Sequence, residues 1–223
     1  VGSFDLETVR PLVEKYLGAL PSTLKRENWK DRSTDYFSGM HSDTLRMGLE
    51  PKSSTSLIYT GPFEYNIRNR LNFGAMERML NIRLNEVIRE KIGGVYSIEA
   101  YGWQDKYPKQ SYVFNIYFNS DPDKQKKIIE AIEQEIENLK ENGFGQTYLD
   151  KVNKQMLQEY QEAYKTNDFW LSNLEFYDWI KEPYSNIFSK EQLHQQRTLK
   201  EIVNLARKTF IKRNYMVLTH LPE

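Results

Sequence analysis

The chain has 223 residues, of which 39% are hydrophobic and 13% aromatic, so it can bury a sizeable core. Its 31 basic and 31 acidic residues cancel, which argues against bulk attraction to nucleic acid or to acidic membranes. No stretch approaches the roughly 18 consecutive apolar residues of a membrane span, and the absence of cysteine excludes disulfides and thiolate zinc sites.

The first half of the chain alternates helix-like and strand-like segments. Apolar residues at helical spacing follow Asp5, a residue type that commonly caps helices, and Gly18 marks the end of that helix. The other predicted elements of this half are a loop at 22–37, strands at 44–49 and 55–63, and a long helix at 65–91. Gly93 or Gly94 is expected to end the long helix, because a left-handed residue commonly stands there.

The second half is predicted to hold two strands, four helices and a closing strand. These elements are strands at 95–104 and 111–119, helices at 121–143, 148–160, 168–180 and 198–208, and a strand at 215–219. Asp121-Pro122 is typical of a helix start, and Thr198 with Glu201 forms a capping box. Hairpins among alternating elements predict an α+β fold, with helices on one face of a mostly antiparallel sheet. We expect residues 1–223 to form a single domain.

The histidines lack the spacing of a catalytic zinc site. His41, His194 and His220 are scattered, and none belongs to His-Glu-x-x-His or to its inversion, His-x-x-Glu-His. A catalytic zinc usually takes three protein ligands and keeps a fourth position open. The alternative to ordinary core or surface histidines is that these three converge in space. We expect no metal site in this chain.

Arg89 and Tyr96 flank the two glycines at the end of the long helix, and their spacing has two interpretations. The structural one is that Arg89 complements the negative end of the helix dipole and Tyr96 is an ordinary strand residue. The functional one is that a tight glycine turn lets both side chains reach one place. There a guanidinium could hold a peptide carbonyl, and a phenol could donate to an oxygen that becomes negative during hydrolysis.

A family resemblance favours the functional interpretation. The segment Arg-Glu-Lys-Ile-Gly-Gly-Val-Tyr-Ser at 89–97 resembles the Arg-Glu-x-x-Gly-x-x-Tyr segment in C-terminal domains of pitrilysin-like (M16, inverted-zincin) metallopeptidases. Three further segments, in the same order along the chain, are similar to elements of that family: 1–21, 143–157 and 214–222. The resemblance covers nearly the whole chain.

This resemblance implies a role in peptide-bond hydrolysis with zinc held elsewhere. In M16 enzymes one half carries His-x-x-Glu-His and a distal Glu, which bind zinc and activate water. The other half closes over the peptide substrate. By this resemblance Arg89 holds the substrate backbone and Tyr96 contacts the scissile carbonyl. The zinc-bearing half then lies on the same polypeptide or on a partner subunit.

The same resemblance implies that the chain is part of a longer multidomain protein. It is shorter than a full half, so we interpret Val1 as lying partway through a domain, in an enzyme of the bacterial periplasm. An alternative is a non-catalytic M16-like scaffold or interaction domain, whose parent protein carries no zinc motif.

Two other groups of residues favour structural roles. The glutamates of the helix at 121–143 lie among lysines and are expected to form a solvated face. The aromatic residues between 169 and 179 recur at helical spacing, which favours core packing, with a peptide-contacting wall as the alternative.

Overall fold

The computed structural model describes residues 1–25, 30–33 and 36–223. Its α-helices are α1 (Leu6–Tyr16), α2 (Ile67–Leu84), α3 (Gln125–Asn142), α4 (Gln146–Ala163), α5 (Asn167–Trp179), α6 (Asn186–Gln195) and α7 (Leu199–Thr209). A π-helix (Asn85–Ile92) continues α2. Its strands are β1 (Gly39–Arg46), β2 (Ser53–Pro62), β3 (Val95–Asp105), β4 (Ser111–Ser120) and β5 (Asn214–Leu221). The predicted α+β class is confirmed.

The five strands form one sheet in the order β1-β5-β2-β4-β3. All neighbours are antiparallel except β1 and β5, which are parallel. The prediction of a strand at 44–49 was wrong in its bounds, since β1 begins at Gly39 and ends at Arg46. Every residue of this edge strand is exposed, so the alternation of apolar and polar residues that marks a half-buried strand is absent.

The core lies between one face of the sheet and the helices. Phe114 in β4 packs against Phe73 of α2 and Phe210 after α7, with ring centroids 5.4 and 5.0 Å apart. Isoleucines at positions 128, 132 and 136 bring α3 onto the same core. On the opposite face, Tyr101 and Trp103 remain 39% and 45% exposed. The sheet is therefore covered by helices on one side, as predicted.

Three helix predictions need correction. The helix predicted at 65–91 is an α-helix only over Ile67–Leu84, and the eight residues Asn85–Ile92 that follow are π-helical. α3 begins at Gln125 rather than at Asp121, because residues 121–124 form a turn. α6 was missed, because its sequence between Pro183 and Thr198 has little amphipathic character. The capping box at Thr198 and Glu201 is confirmed.

The first helix is formed as predicted but buries nothing. The Asp5 carboxylate accepts a hydrogen bond from the Thr8 amide at 2.7 Å, the geometry of a helix cap. Its apolar side chains Leu6, Leu12 and Val13 are all exposed. The predicted loop at 22–37 lies partly outside the described residues, and its described part has no regular structure. None of the described helices combines the length and hydropathy needed to cross a membrane.

Candidate functional site

The junction between the π-helix and β3 depends on two glycines. The Gly93 amide donates to the Ile88 carbonyl, five residues back, at 3.2 Å, which closes the last π-helical turn. Gly93 and Gly94 have φ angles of 68° and 73°, a backbone conformation that residues with a Cβ rarely adopt. A Cβ at Gly94 would also overlap the side chain of Lys124. The prediction that this pair ends the helix is confirmed.

Tyr96 is the extra residue of a β-bulge at the start of β3. Val95 pairs with Ser120 and Ser97 pairs with Asn119, so no residue of β4 is left opposite Tyr96. Both Tyr96 and Ser97 are consequently exposed, although neighbouring strand residues normally point to opposite faces. Tyr96 is 53% exposed. The bulge aims its ring outward instead of into the core.

The hydroxyl of Tyr96 is held by Asp121. The phenol donates to the Asp121 carboxylate at 2.6 Å, and the ammonium of Lys124 lies 3.3 Å from the other carboxylate oxygen. The Asp121 amide in turn donates to the Gly94 carbonyl at 3.1 Å. Sequence reasoning missed this contact because it assigned Asp121 to a helix cap. No sequence spacing links positions 96 and 121, which meet only through the pairing of β3 with β4.

This contact shifts the pKa values of both partners. Hydrogen bonding to Asp121 raises the pKa of Tyr96, and the bonds from Tyr96 and Lys124 lower the pKa of Asp121. Both shifts favour the states that the two groups ordinarily have at neutral pH, a protonated phenol and a charged carboxylate. Tyr96 is a hydrogen-bond donor, as the proposed contact with a developing oxyanion requires.

Arg89 lies on the other arm of the junction, in the π-helix. Its side chain is exposed, and it makes no hydrogen bond or ion pair with the part of the chain that the structure describes. A guanidinium in this state can still offer its fixed fork of donors to a ligand. Arg89 and Tyr96 thus lie on adjoining elements. Arg89 has no polar partner among the described residues, whereas Tyr96 is hydrogen-bonded to Asp121.

The family of the chain follows from its match to a family model. The model described as "Peptidase M16 inactive domain" matches residues 1–156. The chain belongs to the M16 peptidase family, as a domain of the C-terminal, inactive type. The match includes the whole junction from α2 to the turn at 121–124.

The chain is similar to one part of several longer proteins. The chain is 22% identical over 216 residues to "Probable zinc protease PqqL" of Haemophilus influenzae, which is 95% of the chain and 23% of that protein. Its fold superposes on the ferredoxin protease FusC, solved with Arabidopsis ferredoxin, with a TM-score of 0.84 and 17% sequence identity. This superposition covers all of the chain and 24% of FusC. The periplasmic protease PqqL of Escherichia coli superposes with a TM-score of 0.83 and 18% identity, over 100% of the chain and 25% of PqqL. The chain spans about a quarter of the length of each of these three relatives.

The histidines of this M16 domain do not converge. His41 is exposed in β1, with its ring 2.6 Å from the Ser38 carbonyl, whereas His194 is buried in α6. His220 lies in β5. Among the described residues, no three His, Asp or Glu side chains are grouped to share a metal ion. The residues that the structure describes therefore offer no group of side chains suited to zinc.

His194 instead belongs to a buried hydrogen-bond cluster around Arg197. The guanidinium of Arg197 donates to Asn72 at 2.9 Å, Asn153 at 2.5 Å and the Leu71 carbonyl at 3.1 Å, and it lies 3.0 Å from Nδ1 of His194. These bonds join α2, α4 and α6. Burial and the nearby Arg197 cation lower the pKa of His194 to about 4, so its ring is neutral at pH 7.

We expect this histidine to make folding stability depend on pH. In the unfolded chain its pKa is about 6.5, so between pH 6.5 and 4 the unfolded state binds more protons than the folded state. Stability should therefore fall as pH drops through that window, by roughly 3 kcal/mol, with no further loss from this group below pH 4. His194→Asn keeps an acceptor near Arg197 but cannot titrate. Denaturant unfolding of both proteins at several pH values should show the difference, and parallel curves would contradict the assignment.

The glutamates and aromatic residues set aside as structural behave as predicted, with two exceptions. Glu135 is 6% exposed rather than solvated, because its carboxylate is paired with Nε of Arg83 at 2.6 Å. In α5, Tyr177 is buried in the core, but Trp179 is 58% exposed and packs edge-to-face on Tyr107.

Proposed function

We propose that this domain is the substrate-contacting, zinc-free part of an M16-type zinc metalloendopeptidase. The observation that carries the proposal is the glycine junction of this M16 domain. It places an exposed Arg89 in the π-helix and an exposed Tyr96 in the β-bulge. π-helical turns and β-bulges both occur preferentially near functional sites, and here they adjoin. Zinc-bound water from another part of the parent enzyme would supply the nucleophile.

The chemistry assigned to this chain is binding and charge stabilisation. Arg89 donates to carbonyl oxygens of the peptide backbone, which fixes the register of the substrate. Tyr96 donates its phenolic hydrogen to the scissile carbonyl oxygen as that oxygen gains negative charge.

The 223-residue chain alone should bind peptide weakly and cleave none. The reason is that the described residues offer no zinc site to activate water. The test is incubation of the purified chain with zinc and an internally quenched peptide, alongside a triple variant of His41, His194 and His220. Cleavage that disappears in the triple variant would place a zinc site in this chain and refute the proposal.

A non-catalytic scaffold is the second candidate, favoured by the hydrogen bond that already occupies Tyr96. It predicts that Tyr96 supports the junction and nothing else. The two candidates differ in the parent protein, since only the peptidase requires His-x-x-Glu-His elsewhere in that protein or its partner subunit.

By analogy with the periplasmic PqqL of Escherichia coli, we place the parent enzyme in a bacterial periplasm.

A further inference from the structure

A phenol has a single hydrogen, and in this structure Asp121 takes it. Tyr96 donates to the Asp121 carboxylate at 2.6 Å, so its hydroxyl cannot donate to a substrate oxygen at the same time. A hydrogen bond to an ionised acceptor is also stronger than one to a neutral carbonyl. Substrate must therefore compete with Asp121 for the Tyr96 hydrogen.

We propose that Asp121 and Lys124 form a latch that holds Tyr96 away from substrate until a peptide displaces it. This inference rests on the function proposed above and names a control on the same site. In the latched state the Tyr96 hydroxyl donates to Asp121 and cannot donate to substrate. A bound scissile carbonyl displaces Asp121 and accepts the Tyr96 hydrogen instead. Asp121 is thus a regulatory residue that acts through Tyr96 and has no contact with the reacting atoms.

The backbone places the latch with little freedom. Ser120 is the last residue of β4 and pairs with Val95, so Asp121 follows directly beside Gly94. The bond from the Asp121 amide to the Gly94 carbonyl extends the ladder by one step, and the Lys124 amide donates to the Asp121 carbonyl at 3.1 Å. This closes the turn at 121–124 against the junction. Because of this turn, α3 begins only at Gln125.

Charged groups surround the Tyr96 phenol and its partner Asp121. Lys124 neutralises the Asp121 carboxylate from the turn, and the ammonium of Lys52 lies 5.9 Å from the centre of the Tyr96 ring. Asp123 adds a second negative charge near the phenol. Asp121 itself stays ionised because its pKa is lowered by Tyr96 and Lys124. The latch is therefore opened by competition for the phenol hydrogen, and protonation of Asp121 opens it only in acid.

A direct test measures the Tyr96 phenol in the 223-residue chain without substrate. The chain has 15 tyrosines, so carbon-13 labelled tyrosine is introduced and the Tyr96 signal is assigned by its loss in Tyr96→Phe. Asp121→Asn should move the Tyr96 titration midpoint down towards that of an ordinary exposed tyrosine. Asp123→Asn, which removes a charge from the same turn but no hydrogen bond to Tyr96, should move it much less. Equal shifts in the two variants, or none, would overturn the latch.

The second test uses the complete peptidase and a peptide substrate. Breaking the latch removes the competitor for the hydrogen that Tyr96 donates to the scissile oxygen, so Asp121→Asn should raise kcat/KM about threefold to tenfold, and an unchanged kcat/KM would contradict the latch. Asp123→Asn should leave kcat/KM near wild type. A lowered kcat in Asp121→Asn would instead make Asp121 a support for the active position of Tyr96 and would overturn the latch. If Tyr96→Phe has normal turnover, the proposed function fails, whereas the phenol titration still decides whether Asp121 holds Tyr96.

Discussion

Replacing Tyr96 with phenylalanine in the complete peptidase should lower kcat by about 10²–10³-fold, the usual effect of losing one oxyanion donor. The ring and its position in the bulge are retained, and only the hydroxyl that would stabilise the scissile oxygen is removed. Folding should change little, because Tyr96 is 53% exposed and contributes no core packing. Initial-rate kinetics with thermal unfolding of the same preparations measure both quantities.

Tyr101→Phe is the matched control for this experiment. Tyr101 lies in the same strand and is 39% exposed, but its hydroxyl accepts a hydrogen bond from Asn115 within the sheet. We expect near-normal turnover from this variant. Normal turnover in Tyr96→Phe would assign Tyr96 to structure, and an equal loss in both variants would indicate a general disturbance of the sheet.

Replacing Arg197 with methionine should destabilise the chain by about 3 kcal/mol or more. Arg197 is 5% exposed, and it bonds to neutral acceptors on three helices: Asn72 and the Leu71 carbonyl, Asn153 and His194. Methionine fills a similar volume but leaves these buried acceptors without a donor. For a chain of this size the loss corresponds to a fall in melting temperature of about 6–12 °C.

Arg10→Met is the control, since Arg10 is paired with Glu14 on an exposed helix surface. Surface pairs of this kind contribute about 0–1 kcal/mol, so its melting temperature should barely move. Arg197→Lys should not retain the wild-type melting temperature, because an ammonium cannot reach the same acceptors as the planar fork of a guanidinium. A methionine variant as stable as wild type would show that the cluster is dispensable for stability.

The sequence contains strong local signals for the elements that carry the candidate site. Two glycines after a helical run predict the stop at Gly93, and the Val/Tyr/Ile pattern predicts β3. Such signals are readable because left-handed backbone and strand alternation each constrain residue type locally. The position of β5 between β1 and β2 could not be predicted, because strand order depends on contacts distant in sequence.

The state of Tyr96 was beyond sequence reasoning for a related reason. A bulge leaves no mark in one strand alone, since it is defined by the register of the partner strand. Asp121-Pro122 matches a common helix start, and the local pattern cannot reveal that Tyr96, 25 residues away, uses the carboxylate instead. The same limit hid the Glu135–Arg83 pair, which turned one residue of a charged helix face inward.

Photo-crosslinking from position 96 tests the central claim most directly, because it reports contact with substrate rather than an effect on rate. The photoreactive residue p-benzoylphenylalanine replaces Tyr96 in the complete peptidase, with zinc removed so that a labelled peptide stays intact. We predict a crosslink to the peptide from position 96 and none from position 184, where Tyr184 is 49% exposed between α5 and α6. No crosslink from position 96 with a bound peptide, or equal crosslinking from both positions, would contradict the assignment of this junction to the active site.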